Sequence, residues 1–126
     1  MSLEVILSLF EDIKEAIELV NERAEGIDSP ADFLKDKNGL TKLDAISMRL
    51  QVIGESLKKV GNLNPHFLNK YPEIEWGKIK GMRDFISHQY NKIDEVQIFT
   101  ACKFDIPELE KTVNRIIEDL NKSGVI

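Results

Sequence analysis

Apolar residues return along this chain in alternating steps of three and four, the spacing that aligns side chains on one face of an α-helix. The first stripe is Leu3, Ile6, Phe10, Ile13, Ile17 and Val20, with Glu11, Asp12, Lys14, Glu15 and Glu18 on the other face. It predicts a long amphipathic helix ending near Gly26. Asp28-Ser29-Pro30 offers a cap with proline in the first turn, opening a short helix through Phe33 and Leu34. Asn38-Gly39 then punctuates the chain. A second stripe, Leu43, Ile46, Leu50, Ile53, Leu57 and Val60, predicts another long helix closed by Gly61-Asn62.

From Asn64-Pro65 to Tyr71-Pro72 the pattern breaks into a connector with one helical turn around His66 to Asn69. Trp76, Ile79, Met82, Phe85 and Ile86 mark a further helix, and Ile93 to Lys103 another, with Val96, Phe99 and Thr100 facing inward. Asp105 and Pro107 open the last helix, whose stripe is Leu109, Val113, Ile116, Ile117 and Leu120. No segment alternates with period two, no composition shift divides the chain, and no internal repeat is visible. The expected fold is therefore an all-α up-and-down helical bundle of four to five main helices in a single domain, residues 1–126.

Composition narrows the classes without naming one. A chain of 126 residues buries one core without staples. Its single cysteine, Cys102, excludes an internal disulfide, fits a reducing cytoplasm and reads as a small buried hydrophobe. No apolar run reaches membrane-spanning length, and Met1-Ser2-Leu3-Glu4 lacks the basic-then-apolar start of an export signal. Two histidines and one cysteine, well separated, do not make a zinc site. The net charge of −5 opposes a broad nucleic-acid-binding surface. Locally the balance reverses, because Lys78, Lys80 and Arg83 cluster and Lys92 follows closely.

The chemistry concentrates in Arg83-Asp84-Phe85-Ile86-Ser87-His88-Gln89-Tyr90. Arginine holds a phosphate through a planar fork of donors, and histidine moves protons near neutral pH. That pair suits cleavage of RNA by its own 2′-hydroxyl, which needs proton transfer and charge stabilisation but no metal. An R-x4-H pair alone arises by chance in roughly one chain in ten of this length, and the tyrosine two residues on lowers this to roughly one in two or three hundred. The surroundings add weight: Ile53-Gly54-Glu55 and Pro72-Glu73-Ile74-Glu75-Trp76 upstream, Ile79, Gly81 and Met82 leading in, then Asp94 and Asp105-Ile106-Pro107-Glu108-Leu109 downstream. In that order and spacing the chain resembles, from end to end, the HepT-like toxin family of the HEPN superfamily of RNases.

On a straight helix, five residues turn through about 140°, so Arg83 and His88 would point apart. They converge only if the helix loosens near Ser87 or a second subunit contributes. In-line cleavage needs both a base and an acid, and one chain has one motif histidine. A two-fold dimer would supply two, and the resemblance implies such a homodimer with the site at its interface. Gly81 and the apolar Met82, Phe85 and Ile86 suit close approach by a dimer mate. The plain alternative is a surface arginine and a helix-end histidine with no shared task.

Asp84 stands four residues before His88, a helical pairing distance. It either fixes the imidazole tautomer or forms an exposed pair worth a few tenths of a kcal/mol. Ser87 donates to a phosphate or caps the helix. Glu55 is an outer partner for Arg83 or a solvated carboxylate. Trp76 reads as core and His66 as surface. The resemblance implies that Tyr90 accepts AMP from a cognate minimal nucleotidyltransferase, the antitoxin of a type VII-like pair. AMP there would add charge and bulk where substrate phosphate must bind. No cofactor is expected. The competing reading is a non-catalytic bundle that partners a nucleotidyltransferase or presents substrate to it, and Arg83 with His88 argues against that.

Overall fold

The first stripe forms α1 (Ser2–Ala24), the opening helix of a computed structural model that describes residues 2–84, 86–87 and 92–123. Ser2, Ile86, Ser87 and Lys92 are described in their backbone alone. Ile6, Phe10, Ile13, Ile17 and Val20 are all buried, whereas Leu3 is exposed, so the stripe starts one turn later than expected. Gly26 takes φ 83°, a left-handed conformation that ends the helix at no steric cost.

A 3-10 turn, Pro30–Phe33, follows as the proline predicted, with Phe33 buried and Leu34 left outside. The Asp32 carboxylate accepts from the backbone N–H groups of Asp28 and Ser29, at 2.8 and 3.2 Å. Those bonds, chiefly that from Asp28, hold its pKa below the usual carboxylate value. α2 (Lys37–Leu63) begins earlier than Asn38-Gly39 suggested. Asp36 caps it by accepting from the Gly39 N–H at 2.7 Å. Gly39 is not a break. It lets the first turn press on the preceding 3-10 turn, where a Cβ would fall 2.4 Å from the Asp32 carbonyl oxygen. Gly61-Asn62 likewise fails to close the helix, which continues to Leu63. All six residues of the second stripe are buried.

The connector carries the expected single turn, Phe67–Lys70, and His66 is exposed. Phe67 stacks on Phe10 of α1 with ring centroids 5.9 Å apart, and at the other end Lys42 donates to the Glu25 carbonyl at 2.9 Å. Together these contacts make α1 and α2 antiparallel. The last helix, α5 (Ile106–Lys122), returns along α1: Asn21 donates to the Glu110 carboxylate at 3.4 Å, and Tyr71 donates to Asp119 at 2.8 Å. Leu109, Val113, Ile116 and Leu120 complete the core, with Ile117 at its margin. The fold is an all-α up-and-down bundle.

The region between α2 and α5 departs from the pattern. α3 (Trp76–Lys80) lasts five residues, tightens into a 3-10 turn over Gly81–Asp84, and then leaves helical geometry. β1 (Ile86–Ser87) pairs antiparallel with β2 (Lys92–Ile93), Ile86 opposite Ile93 and Ser87 opposite Lys92. Strands of two residues are too short to carry an alternating pattern, which is why periodicity missed them. α4 (Glu95–Thr100) follows, capped by Asp94, whose carboxylate accepts from the N–H groups of Val96 and Gln97 at 3.0 and 3.1 Å.

α4 runs without a break through a π-helical turn, Ala101–Asp105, into α5. Asp105 and Pro107 therefore do not open a separate helix. The Ile106 N–H reaches back to the Ala101 carbonyl, and this wider turn lets the chain remain helical up to Pro107, which has no N–H to give. The extra residue also changes which face is buried. Ile98 and Ala101 point inward, Phe99 is half-buried, and Val96 and Thr100 are exposed, contrary to expectation.

Candidate active site

The approach to the motif is fastened to α5 before the motif begins. Glu73 accepts from Thr112 at 3.2 Å and from Arg115, and the Arg115 guanidinium lies over the Tyr71 ring at 5.0 Å. Trp76 is half-buried rather than core, and its indole N–H donates to the Tyr71 carbonyl at 2.9 Å. Ile79 and Met82 then enter the core. Met82 is fully buried within its own chain, so it is not available to a dimer mate as expected.

The segment leading to Arg83 rests on α2 at Gly54. A Cβ on Gly54 would come 2.8 Å from the Lys80 carbonyl oxygen and 3.1 Å from the Arg83 nitrogen. Only a residue without a side chain permits that approach. Gly81, by contrast, has nothing within 4 Å of where its Cβ would stand. The sequence marked both glycines, and the structure gives the intramolecular task to Gly54.

Arg83 is flanked by two carboxylates. Its Nη1 lies 3.6 Å from Glu55 Oε1 and its Nε 3.9 Å from Asp84 Oδ1, with the Arg83 side chain 34% exposed. Glu55 is therefore a neighbour of Arg83 and not merely a solvated carboxylate of the α2 face. Both separations are ion-pair distances longer than a hydrogen bond. Among the described residues, then, the guanidinium is oriented without its donors being consumed.

The helical relationships expected within the motif do not apply. The chain is extended at Ile86–Ser87, so the i,i+4 argument for Asp84 and His88 loses its basis, as does the 140° objection to Arg83 and His88 converging. Ser87 lies in β1 and caps no helix. His88 and Tyr90 fall in residues 88–91, outside the described residues, as does Phe85.

Of the lysines read from the sequence as a basic cluster, Lys78 and Lys80 have described side chains. Lys78 forms an ion pair with Asp105 at 3.0 Å, in a cleft it shares with Glu73, Glu75 and Glu108. Hydrogen bonding to Asp105 raises its pKa. The Lys80 ammonium lies near Gly61, 3.5 Å from where a Cβ there would stand. That is seven residues from Gly54, or about 10 Å along α2. Lys92 pairs with Ser87 in the hairpin. Among the described side chains, Lys78 is thus engaged by Asp105, and Lys80 extends toward Gly61.

Elsewhere, burial pushes the Cys102 thiol up to about 12, which keeps it protonated and inert. No helix among the described residues is long and apolar enough to cross a membrane.

Residues 13–116 match the family model described as Ribonuclease HepT-like. Several relatives carry the name "putative RNase". One from Caldanaerobacter subterraneus subsp. tengcongensis is 38% identical over 108 residues, 86% of this chain and 90% of the relative. One from Methanocaldococcus jannaschii is 37% identical over 78 residues, 62% of this chain and 65% of the relative. A second from that organism is 37% identical over 76 residues, 60% of each chain. The matched region thus spans less than two thirds of these two archaeal relatives. No solved structure matches. With its family match running from the middle of α1 to the later turns of α5, the chain belongs to the ribonuclease HepT-like family.

Proposed function

We propose that this protein is a metal-independent endoribonuclease, the cytoplasmic toxin of a type VII-like toxin–antitoxin pair. The RNA 2′-hydroxyl gives its proton to a base and its oxygen bonds to the adjacent phosphorus. The bond from phosphorus to the 5′-oxygen breaks, and that oxygen takes a proton from an acid. The products carry a 2′,3′-cyclic phosphate and a 5′-hydroxyl. Arg83 binds the phosphate oxygens and stabilises the charge that builds on them. His88 moves the proton. Asp84 and Ser87 support them, and Lys80 and Lys92 contact the RNA backbone, while Lys78 is engaged by Asp105.

The observation that carries this reading is the state of Arg83. It is half-exposed, backed by α2 through Gly54, and flanked at ion-pair distance by Glu55 and Asp84. It also stands three residues before β1, and in the sequence His88 to Asn91 link β1 to β2. A guanidinium oriented but not consumed suits a phosphate that arrives and departs.

Two proton movers require two copies of the motif histidine, so the active species is a homodimer. Glu55 lies on a face of α2 that also carries the exposed Met48 and the half-buried Val52. That mixed face, which Gln51 and Lys59 also line and which adjoins the Arg83 site, supports a second copy docking there. Tyr90 is the acceptor through which a cognate minimal nucleotidyltransferase silences the toxin by adding AMP. The test is cleavage of a defined single-stranded RNA by the purified protein in chelator, with the product ends identified by mass. Cleavage that needs added magnesium, or that leaves 3′-hydroxyl ends, would overturn the mechanism.

A further inference from the structure

We infer that Glu55 is a positioning residue for Arg83, fixing the guanidinium in the orientation a substrate phosphate requires. This rests on the nuclease reading above. Of the two carboxylates beside Arg83, Asp84 is its neighbour in the chain and moves with it. Among the described residues, Glu55 is the carboxylate that ties the guanidinium to a separate element, and that element is the 27-residue α2. The tie is short-range on both sides. Gly54 brings the Arg83 backbone onto α2, and the next residue of α2 supplies the charge that meets its side chain.

At 3.6 Å, Glu55 Oε1 lies within ion-pair range of Arg83 Nη1. At hydrogen-bond length, Glu55 would occupy the donors that a phosphate needs, acting as a competitor. At 3.6 Å it supplies orienting attraction while the planar fork stays open. An arginine has several rotatable bonds, and among the described residues Asp84 is its other charged neighbour, so the orientation that α2 imposes is one that substrate binding need not supply.

The experiment compares Glu55→Gln and Glu55→Asp with the unaltered full chain. Glu55 is 55% exposed in the single chain, so neither change should disturb its fold, and light scattering of each variant checks that self-association is kept. In protein labelled with 15N-arginine, hindered rotation should give Arg83 two separate Nη signals at low temperature. Glu55→Gln should merge them, and Glu55→Asp should restore part of the separation. In parallel, Glu55→Gln should lower kcat roughly ten- to a hundredfold with little change in KM, and should cost nothing further when Arg83 is already alanine. Unchanged Nη signals would overturn the inference, as would Glu55→Gln binding RNA more tightly and cutting it faster, the behaviour of a competitor. An active wild type matched by Glu55→Gln removes this inference alone. A wild type that cuts no RNA removes the nuclease reading and this inference with it.

Discussion

Arg83 lies against Gly54 so closely that a Cβ at position 54 would come within 3.1 Å of the Arg83 backbone nitrogen and 3.3 Å of its Cβ. Lys80 contributes a still tighter contact, its carbonyl oxygen 2.8 Å from the same point. Two of these three atoms are backbone, so the neighbour cannot relieve the clash by rotating a side chain. The candidate site is thus set by a glycine on one helix and the backbone of another segment.

Gly54→Ala should therefore destabilise the protein. Alanine favours a helix over glycine by about 1 kcal/mol, but forcing apart packed backbones costs about 1–3 kcal/mol, so the clash wins. Gly81→Ala, with open space around it and an ordinary φ of −68°, should be neutral or slightly stabilising in the isolated chain. Thermal melting of the two variants side by side checks the contrast. If Gly81→Ala instead weakens self-association, a dimer mate approaches there.

His88→Ala and Arg83→Ala should each lower RNA cleavage about a hundred- to ten-thousand-fold while leaving helicity unchanged. Arg83→Ala removes no core contact, since Arg83 is half-exposed and Met82 carries the packing of its turn. A steady-state cleavage assay in chelator, paired with circular dichroism, separates lost chemistry from lost fold.

Met48→Asp should convert the dimer into monomers and abolish cleavage with it. Met48 is 62% exposed, so a carboxylate there costs little in the folded chain. It becomes expensive only if a second copy buries it. Light scattering at micromolar concentration gives the mass directly. A variant that stays dimeric moves the interface elsewhere.

Tyr90→Phe should block transfer of AMP when the chain is co-expressed with its cognate nucleotidyltransferase, and should leave the toxin unsilenced. Intact-mass measurement counts the AMP units added to the unaltered chain. Modification mapped to another residue, or silencing that survives the substitution, would sink the transfer mechanism without touching the roles of Arg83 and His88.

Stability should fall at alkaline pH through Tyr71. Burial, reinforced by its hydrogen bond to Asp119, pushes its hydroxyl up to about 12 from 10.0. Because the folded-state value is the higher one, the unfolded chain releases the proton first. The contribution is complete below pH 10 and is lost as the pH rises from 10 towards 12. Tyr71→Phe should lower stability by about 1 kcal/mol at neutral pH and flatten this alkaline decline. Denaturant melts at pH 8, 10 and 11 would show it.

The sequence by itself determined the bundle. The stripes of α1, α2 and α5 are long and regular, and burying an apolar face against others of its kind is the cheapest way to remove it from water, so period translates directly into packing. It also singled out Arg83, Gly54 and Glu55, and left open whether Glu55 partners Arg83 or is merely solvated. Tertiary structure decided what lies between the long helices. How closely Lys80 and Arg83 approach α2 depends on Gly54, and whether Lys78 serves the site depends on Asp105, 27 residues away in the chain and carried on a π-helical turn. Local periodicity reports the face a helix presents. It does not report which distant charge or backbone will meet that face, and here those meetings separate Lys78 from Arg83 and give Arg83 its carboxylate.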